Sequence, residues 1–186
     1  MLNRVLSLFR RPTRLPSEAV VLMLAAFATG HSLSRQFLER LPEDAKAALG
    51  TLNEIEAHLI DLWLVNEALT QAAHNLPDDK VQSLVDGFHW ETYRQFLAHG
   101  LSADGLKELQ RLLRERYNQY GNALAPVLQG AGTKASFTFS RLVTRNLFGH
   151  ESGDPVVALT IGGSVAAALF STVDALKDVL PRTTFS

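Results

Sequence analysis

The sequence predicts an all-α protein that folds as one domain, a bundle of six to eight helices. Apolar residues recur at steps of three and four through most of the chain, and no stretch alternates apolar and polar residues between hairpin turns. The composition agrees, because 186 residues with 46% hydrophobic and 20% charged side chains suffice for one hydrophobic core. We divide the chain into a basic amphipathic arm, residues 1–16, and one helical domain, residues 17–186.

Prolines, glycines and capping residues set the boundaries of the predicted helices. In chain order the predicted helices cover residues 1–11, 17–29, 32–41, about 49–75, 78–100, 102 to about 126, 134–148 and 155–180. The helix at about 49–75 is apolar over so much of its circumference that we expect it at the centre of the bundle. The apolar stripes of the long helices place Leu59, Leu62, Trp63, Phe88 and Leu113 in the predicted core.

The last predicted helix raises the question of a membrane span, because Pro155 to Val173 is a stretch of nineteen residues without a charge. Glycine, serine and threonine dilute this stretch, and no aromatic belt flanks it. We therefore predict a buried packing helix, with a membrane span as the alternative. Two small-residue pairs would let a neighbouring helix approach closely: Gly162 with Ala166, and Gly163 with Ala167.

Several chemistries are excluded by composition or by context. The absence of cysteine excludes disulfides, thiolate zinc sites, iron-sulfur clusters and cysteine nucleophiles. A net charge of −1 excludes a globally basic nucleic-acid binder, so we expect no nucleic-acid partner. The string ending in Thr133 and Lys134 has the wrong order for a phosphate loop, and Ser164 lies inside a predicted helix rather than at a nucleophile elbow. We expect no cofactor, no metal site and no catalytic residue, and we prefer a protein that is not an enzyme.

Two polar triads each occupy one helix face, at steps of three and four. The first is Glu54, His58 and Asp61, and the second is Asp86, His89 and Tyr93. A carboxylate-bridged iron site needs Glu-x-x-His pairs, a spacing that this sequence lacks. We interpret both triads as polar edges of amphipathic helices, and the alternative is that they line a polar pocket for a small ligand.

Two basic features point to a partner. The arm combines an apolar face with positive charge, and a later helix carries basic residues at steps of seven and four between Glu115 and Glu151, a stretch without an acidic residue. We expect partner-binding residues in both, namely Arg4, Phe9, Arg10 and Arg11 in the arm, and Lys134, Arg141 and Arg145 in the unpaired stripe. A frayed or cleaved N-terminus and a solvated helix face are the alternatives.

The order of these segments resembles the ubiquinol-cytochrome c chaperone domain family, small all-helical assembly factors of the respiratory cytochrome bc complex. The similar pieces are Leu2 with Phe9, Arg10 and Arg11; His58 to Leu69; Leu84 to Arg94; Arg116, Tyr117, Tyr120, Ala123 and Leu124; and Arg145 to Gly149. The resemblance implies a partner-binding protein without enzymatic activity that works near a membrane.

We therefore expect a non-enzymatic binding or assembly protein that acts through its helix faces. Its partner is a protein of unknown identity, and an anionic membrane surface is a second candidate. A cytoplasmic location is expected, with peripheral attachment to a membrane left open. The alternative function is a helical bundle, enzymatic or not, that encloses a small apolar ligand between helices, with Asp61, His58 and His89 as polar anchors.

Overall fold

The computed structural model describes residues 14–30, 39 and 41–185, and its helical content confirms the predicted all-α bundle. Within this part of the chain lie seven α-helices: α1 Ser17–Thr29, α2 Glu43–Leu49, α3 Glu54–Ala72, α4 Asp78–Ala98, α5 Ala103–Leu128, α6 Thr133–Phe148 and α7 Pro155–Val179. A short 3₁₀ helix, Leu180–Arg182, follows α7. Two short parallel strands, β1 Leu15–Pro16 and β2 Thr183–Thr184, tie the start of the described chain to its end.

Helix α3 lies at the centre of the bundle, as its apolar circumference predicts, and contacts α1, α4, α5, α6 and α7. The helix begins at Glu54 because the Asn53 side chain accepts hydrogen bonds from the backbone N–H groups of Ile55 and Glu56. Five predicted core residues are buried: Leu59, Leu62, Trp63, Phe88 and Leu113. Ile55, an apolar residue in the first turn of α3, is instead 56% exposed.

The chain between residues 41 and 50 holds a helix that the sequence analysis did not predict. Helix α2 begins directly after Pro42, whose carbonyl accepts the first helical hydrogen bond from Lys46 at 3.0 Å. It ends at Gly50, which adopts a positive φ of 75°. The predicted helix over 1–11 lies outside the described residues, as does the predicted helix over 32–41 apart from Glu39 and Leu41. Helix α5 continues past Pro126 to Leu128, because a proline in the last turn removes only one backbone hydrogen bond.

Helix α7 packs against α3 and α6, and its buried side includes Gly162. A Cβ atom at Gly162 would lie 2.7 Å from both Cα and Cβ of Ser140, so the two helices touch backbone to backbone there. Gly163 has open space around its Cα, so this second small-residue position faces away from α6. Residues 155–182 are long and apolar enough to cross a membrane, and 39% of the most apolar window is buried inside the bundle. A core helix passes the same test of length and composition.

Candidate functional site

A groove of about 590 Å³ runs between α4 and α5, which we call the α4–α5 groove. Its lining combines aromatic rings with charged and amide side chains: Asp86, His89, Trp90 and Tyr93 from α4, and Gln110, Leu113, Arg114 and Tyr117 from α5. The structure thus brings the second predicted triad together with a set of α5 residues that the sequence analysis had not connected to it.

His89 and Tyr117 form the polar floor of the groove. The His89 Nδ1 atom lies 2.9 Å from the Val85 carbonyl, which can only accept, so Nδ1 carries a hydrogen and donates it. The His89 Nε2 atom lies 3.0 Å from the Tyr117 hydroxyl, and that hydroxyl lies 3.0 Å from the Leu62 carbonyl. The single hydroxyl hydrogen goes to Nε2 or to the Leu62 carbonyl when the imidazole is neutral, and only to the Leu62 carbonyl when the imidazole is charged.

Burial shifts the pKa values of both side chains, and these shifts favour one protonation state of the imidazole. Desolvation lowers the pKa of His89, and the hydrogen bond to Val85 and the charge of Asp86 offset this only in part. Burial also raises the pKa of the Tyr117 hydroxyl well above its ordinary value, so this group stays a phenol. The neutral imidazole is therefore favoured at neutral pH, and its Nε2 atom and the Leu62 carbonyl are then two acceptors for the one hydrogen of the Tyr117 hydroxyl.

Trp90 is the most exposed of the large apolar side chains in the described residues, at 71%. It lies at the rim of the α4–α5 groove and also borders a smaller hollow against α1, where Val21 and Leu22 lie. Leu22 is itself 49% exposed. Apolar surface therefore lies on both sides of Trp90, in the α4–α5 groove and on α1.

Two charges of opposite sign flank the groove. The Asp86 carboxylate accepts a hydrogen bond of 2.8 Å from the Gln82 amide. The Arg114 side chain donates to the Gln110 carbonyl at 3.3 Å, and within the described residues no carboxylate oxygen lies within 4.0 Å of its guanidinium. The positive charge of Arg114 opposes the rise that burial causes in the pKa of Tyr93, so Arg114 acts near Tyr93.

The first predicted triad does not form a common site. Glu54 is exposed, Asp61 is fully buried in the core, and His58 borders a separate hollow, where its ring lies edge-on to Phe96 at 5.1 Å between centroids. The alternative with a ligand enclosed between helices needed His58, Asp61 and His89 around one pocket. The structure places His58 and His89 at two different hollows instead.

The basic residues divide into two groups. The arm residues Arg4, Phe9, Arg10 and Arg11 lie outside the described part of the chain, so their role stays a prediction. The stripe on α6 is not unpaired, which corrects the sequence analysis.

Two arginines of the stripe are paired with an acid that follows the end of α6. Arg141 and Arg145 lie 3.3 Å and 3.9 Å from the Glu151 carboxylate. Gly149, in the left-handed region at φ 77°, turns the chain back after α6 and brings this acid beside the two arginines. The Arg141 guanidinium also lies over the Phe137 ring, 4.8 Å from its centroid. Lys134 is exposed at the other end of the stripe.

A buried ion pair between α3 and α5 escaped the sequence analysis. Both carboxylate oxygens of Glu56 accept from the Arg116 guanidinium, one of them from Nε at 2.7 Å. The Arg116 guanidinium also donates to Gln119, which accepts a bond of 3.4 Å from Asn146 on α6. The sequence carries one signal for this network, an acid on the apolar side of the first turn of α3, but its partner lies 60 residues away.

The described residues hold no group of three or more His, Asp or Glu side chains placed to bind a metal ion. The α4–α5 groove pairs a histidine with a tyrosine and a backbone carbonyl, an arrangement suited to hydrogen bonding and aromatic stacking.

Comparison with protein-family models, with curated proteins and with solved structures finds no match to this chain. The resemblance to the ubiquinol-cytochrome c chaperone domain family therefore stays a prediction from the sequence.

Proposed function

We propose that this chain is a non-enzymatic binding protein, and that an amphipathic helix of a protein partner docks in the α4–α5 groove. The observation that carries the proposal is Trp90, an indole with 71% of its surface exposed at the rim of a groove already lined by aromatic rings. Tryptophan and arginine are enriched among the residues that dominate the binding energy of protein interfaces, and Arg114 lines the same groove.

The shape of the groove favours a helical partner segment. The groove runs between α4 and α5, so a third helix can lie along it and bury apolar residues against Trp90 and Leu113. Asp86 and Arg114 carry opposite charges at different positions along the groove. A partner helix with a basic residue near Asp86 and an acidic residue near Arg114 is therefore bound in one direction.

We extend the proposal to a partner that is met close to a membrane, as an assembly factor meets its client. The basic amphipathic sequence of residues 1–11 supports this location, and so does the resemblance described above. The groove and the membrane contact are separate parts of the proposal, and each has its own test.

The groove is tested by selecting binders from a displayed library of helical 20-residue peptides on the full chain. The affinity of selected peptides is then measured for wild type, Trp90→Ala and the matched control Val156→Ala, which removes another large exposed apolar side chain. We expect Trp90→Ala to weaken binding by roughly 30-fold, corresponding to a hot spot of about 2 kcal/mol, and Val156→Ala to change it by less than about threefold.

A charge exchange tests the direction of binding. In the variant Arg114→Glu, peptides with an acidic residue at the corresponding position should lose affinity, and peptides with a basic residue there should gain it. Peptides that bind wild type and Trp90→Ala equally well would refute the groove as the docking site. Capture from cell extracts with the same three proteins then identifies the natural partner, which should be retained by wild type and Val156→Ala and lost with Trp90→Ala.

A further inference from the structure

A second hollow, of about 490 Å³, lies where the end of α4 and the start of α5 meet α3. We call it the corner hollow. Its walls are mainly apolar, and include Ile55, Phe96, Leu101, Leu109 and Leu112. Because a water molecule occupies about 30 Å³ in the liquid, the corner hollow has the volume of roughly 16 water molecules. This size and composition are typical of small-molecule sites.

The corner hollow offers a ligand more hydrogen-bond acceptors than donors. The backbone N–H groups that line it are already used: Gly100 donates to Leu97 at 3.1 Å, Leu101 donates to Phe96 at 3.0 Å, and Gly105 donates to the Ser102 side chain at 3.1 Å. A ligand that brings only acceptors therefore finds no backbone donor among these three residues.

Two side chains at the corner hollow can still accept a hydrogen bond from a ligand. The His99 Nδ1 atom lies 2.7 Å from the Gln95 carbonyl and must donate to it, so Nε2 of the neutral imidazole is an acceptor. Each carboxylate oxygen of Glu108 takes one bond from Arg111, at 2.7 and 2.9 Å, and a carboxylate oxygen can accept a second.

We propose that the corner hollow binds a small molecule with an apolar ring body and a hydrogen-bond-donating end, a hydroxyl or an amine. The apolar walls bury the ring, with the Phe96 and His58 rings already edge to face on one side. The donating end meets His99 Nε2. This site is separate from the α4–α5 groove and does not depend on the function proposed there.

Three pyrene derivatives that share one ring system and differ at one end test the proposal by fluorescence anisotropy at pH 8. We expect saturable 1:1 binding of 1-pyrenemethanol, which carries a donor. Binding of 1-methylpyrene, which lacks the donor, should be at least threefold weaker because one hydrogen bond is lost. Binding of 1-pyrenecarboxylate should be weaker still, because burying its charge against apolar walls is unfavourable and the carboxylate brings only acceptors.

Variants locate the site. Ile55→Trp fills the mouth of the corner hollow from an exposed position, and should abolish binding of 1-pyrenemethanol. Its matched control Val156→Trp also places an indole at an exposed position, on α7, and should leave binding unchanged. Trp90→Ala should leave binding unchanged as well, which separates this site from the α4–α5 groove. His99→Phe keeps a ring but removes Nε2, and should bring the affinity for 1-pyrenemethanol close to that for 1-methylpyrene.

Three results would overturn the proposal: no saturable binding of 1-pyrenemethanol, binding that survives Ile55→Trp, or equal binding of the alcohol and the carboxylate. Circular dichroism and urea unfolding of each variant show whether it is folded. Because Ile55, His99 and Val156 are all exposed, we expect each of these variants to keep the fold.

Discussion

Two adjacent glycines in α7 should respond in opposite ways to the same substitution. A Cβ atom at Gly162 would lie 2.7 Å from Cα and Cβ of Ser140, and closer still to its hydroxyl oxygen, whereas a Cβ atom at Gly163 meets nothing within 4 Å. Both residues lie in the interior of the helix, so both alanine variants gain about 1 kcal/mol of helix propensity.

The two stability changes follow from that geometry. Overpacking costs typically 1–3 kcal/mol, and we expect the upper end at Gly162 because no change of rotamer moves the Cα atom of Ser140 away. Gly162→Ala should therefore lower the free energy of unfolding by about 2 kcal/mol, and Gly163→Ala should raise it by about 1 kcal/mol. For a chain of this length each kcal/mol corresponds to about 2–4 °C in Tm.

Urea unfolding followed by circular dichroism measures both changes, and an unchanged slope m shows that only stability has altered. The double variant Ser140→Ala with Gly162→Ala should recover only part of the loss, because the substitution removes the hydroxyl and leaves the Cα and Cβ contacts. If Gly162→Ala and Gly163→Ala are equally stable, α6 does not cross α7 at Gly162 and the close contact of these two helices is refuted.

Three further outcomes are expected. Glu56→Gln should lower the free energy of unfolding by about 2 kcal/mol in a urea titration, because the largely buried Arg116 guanidinium then keeps only the half-exposed Glu115 as a carboxylate partner. The control Glu67→Gln, on the same helix, keeps an oxygen that accepts the hydrogen bond from Gln71 and should change the free energy of unfolding by less than about 0.5 kcal/mol. The pKa of His89 is lowered from 6.5 by burial, so the unfolded chain binds the extra proton first and wild type should lose stability as pH falls below 6.5. In His89→Gln this contribution should vanish, and identical stability profiles of the two proteins between pH 5 and 8 would contradict it. Deleting residues 1–11 should leave unfolding cooperative and abolish flotation with anionic liposomes at low salt, because the three arginines of that segment contribute roughly 3 kcal/mol. Undiminished flotation would refute a role of the arm in membrane binding.

Residues within a few positions of one another were sufficient to predict most of the helices and the core residues. Asp154 with Pro155 starts α7, Ser102 starts α5, and apolar residues at steps of three and four place Leu59 and Trp63 inside. These features depend on a helix and its own ends, which the sequence carries directly.

The same local reasoning failed where a stabilising partner lies beyond the helix. Helix α2 is one short segment after Pro42, and its seven residues carry too little periodicity to be recognised. Arg141 and Arg145 look unpaired along α6, because Glu151 reaches them only through the left-handed turn at Gly149.

Which residues line the candidate site depends on how the helices pack against one another. Asp86, His89 and Tyr93 share one face by spacing alone, but their alignment with Tyr117 and the exposure of Trp90 depend on where α5 packs along α4. Likewise Gly162 and Gly163 have the same local sequence context, and only the position of α6 makes one a close contact and leaves the other open. A periodic pattern shows that a face is apolar or polar, whereas the neighbour that covers it is chosen by packing over the whole bundle.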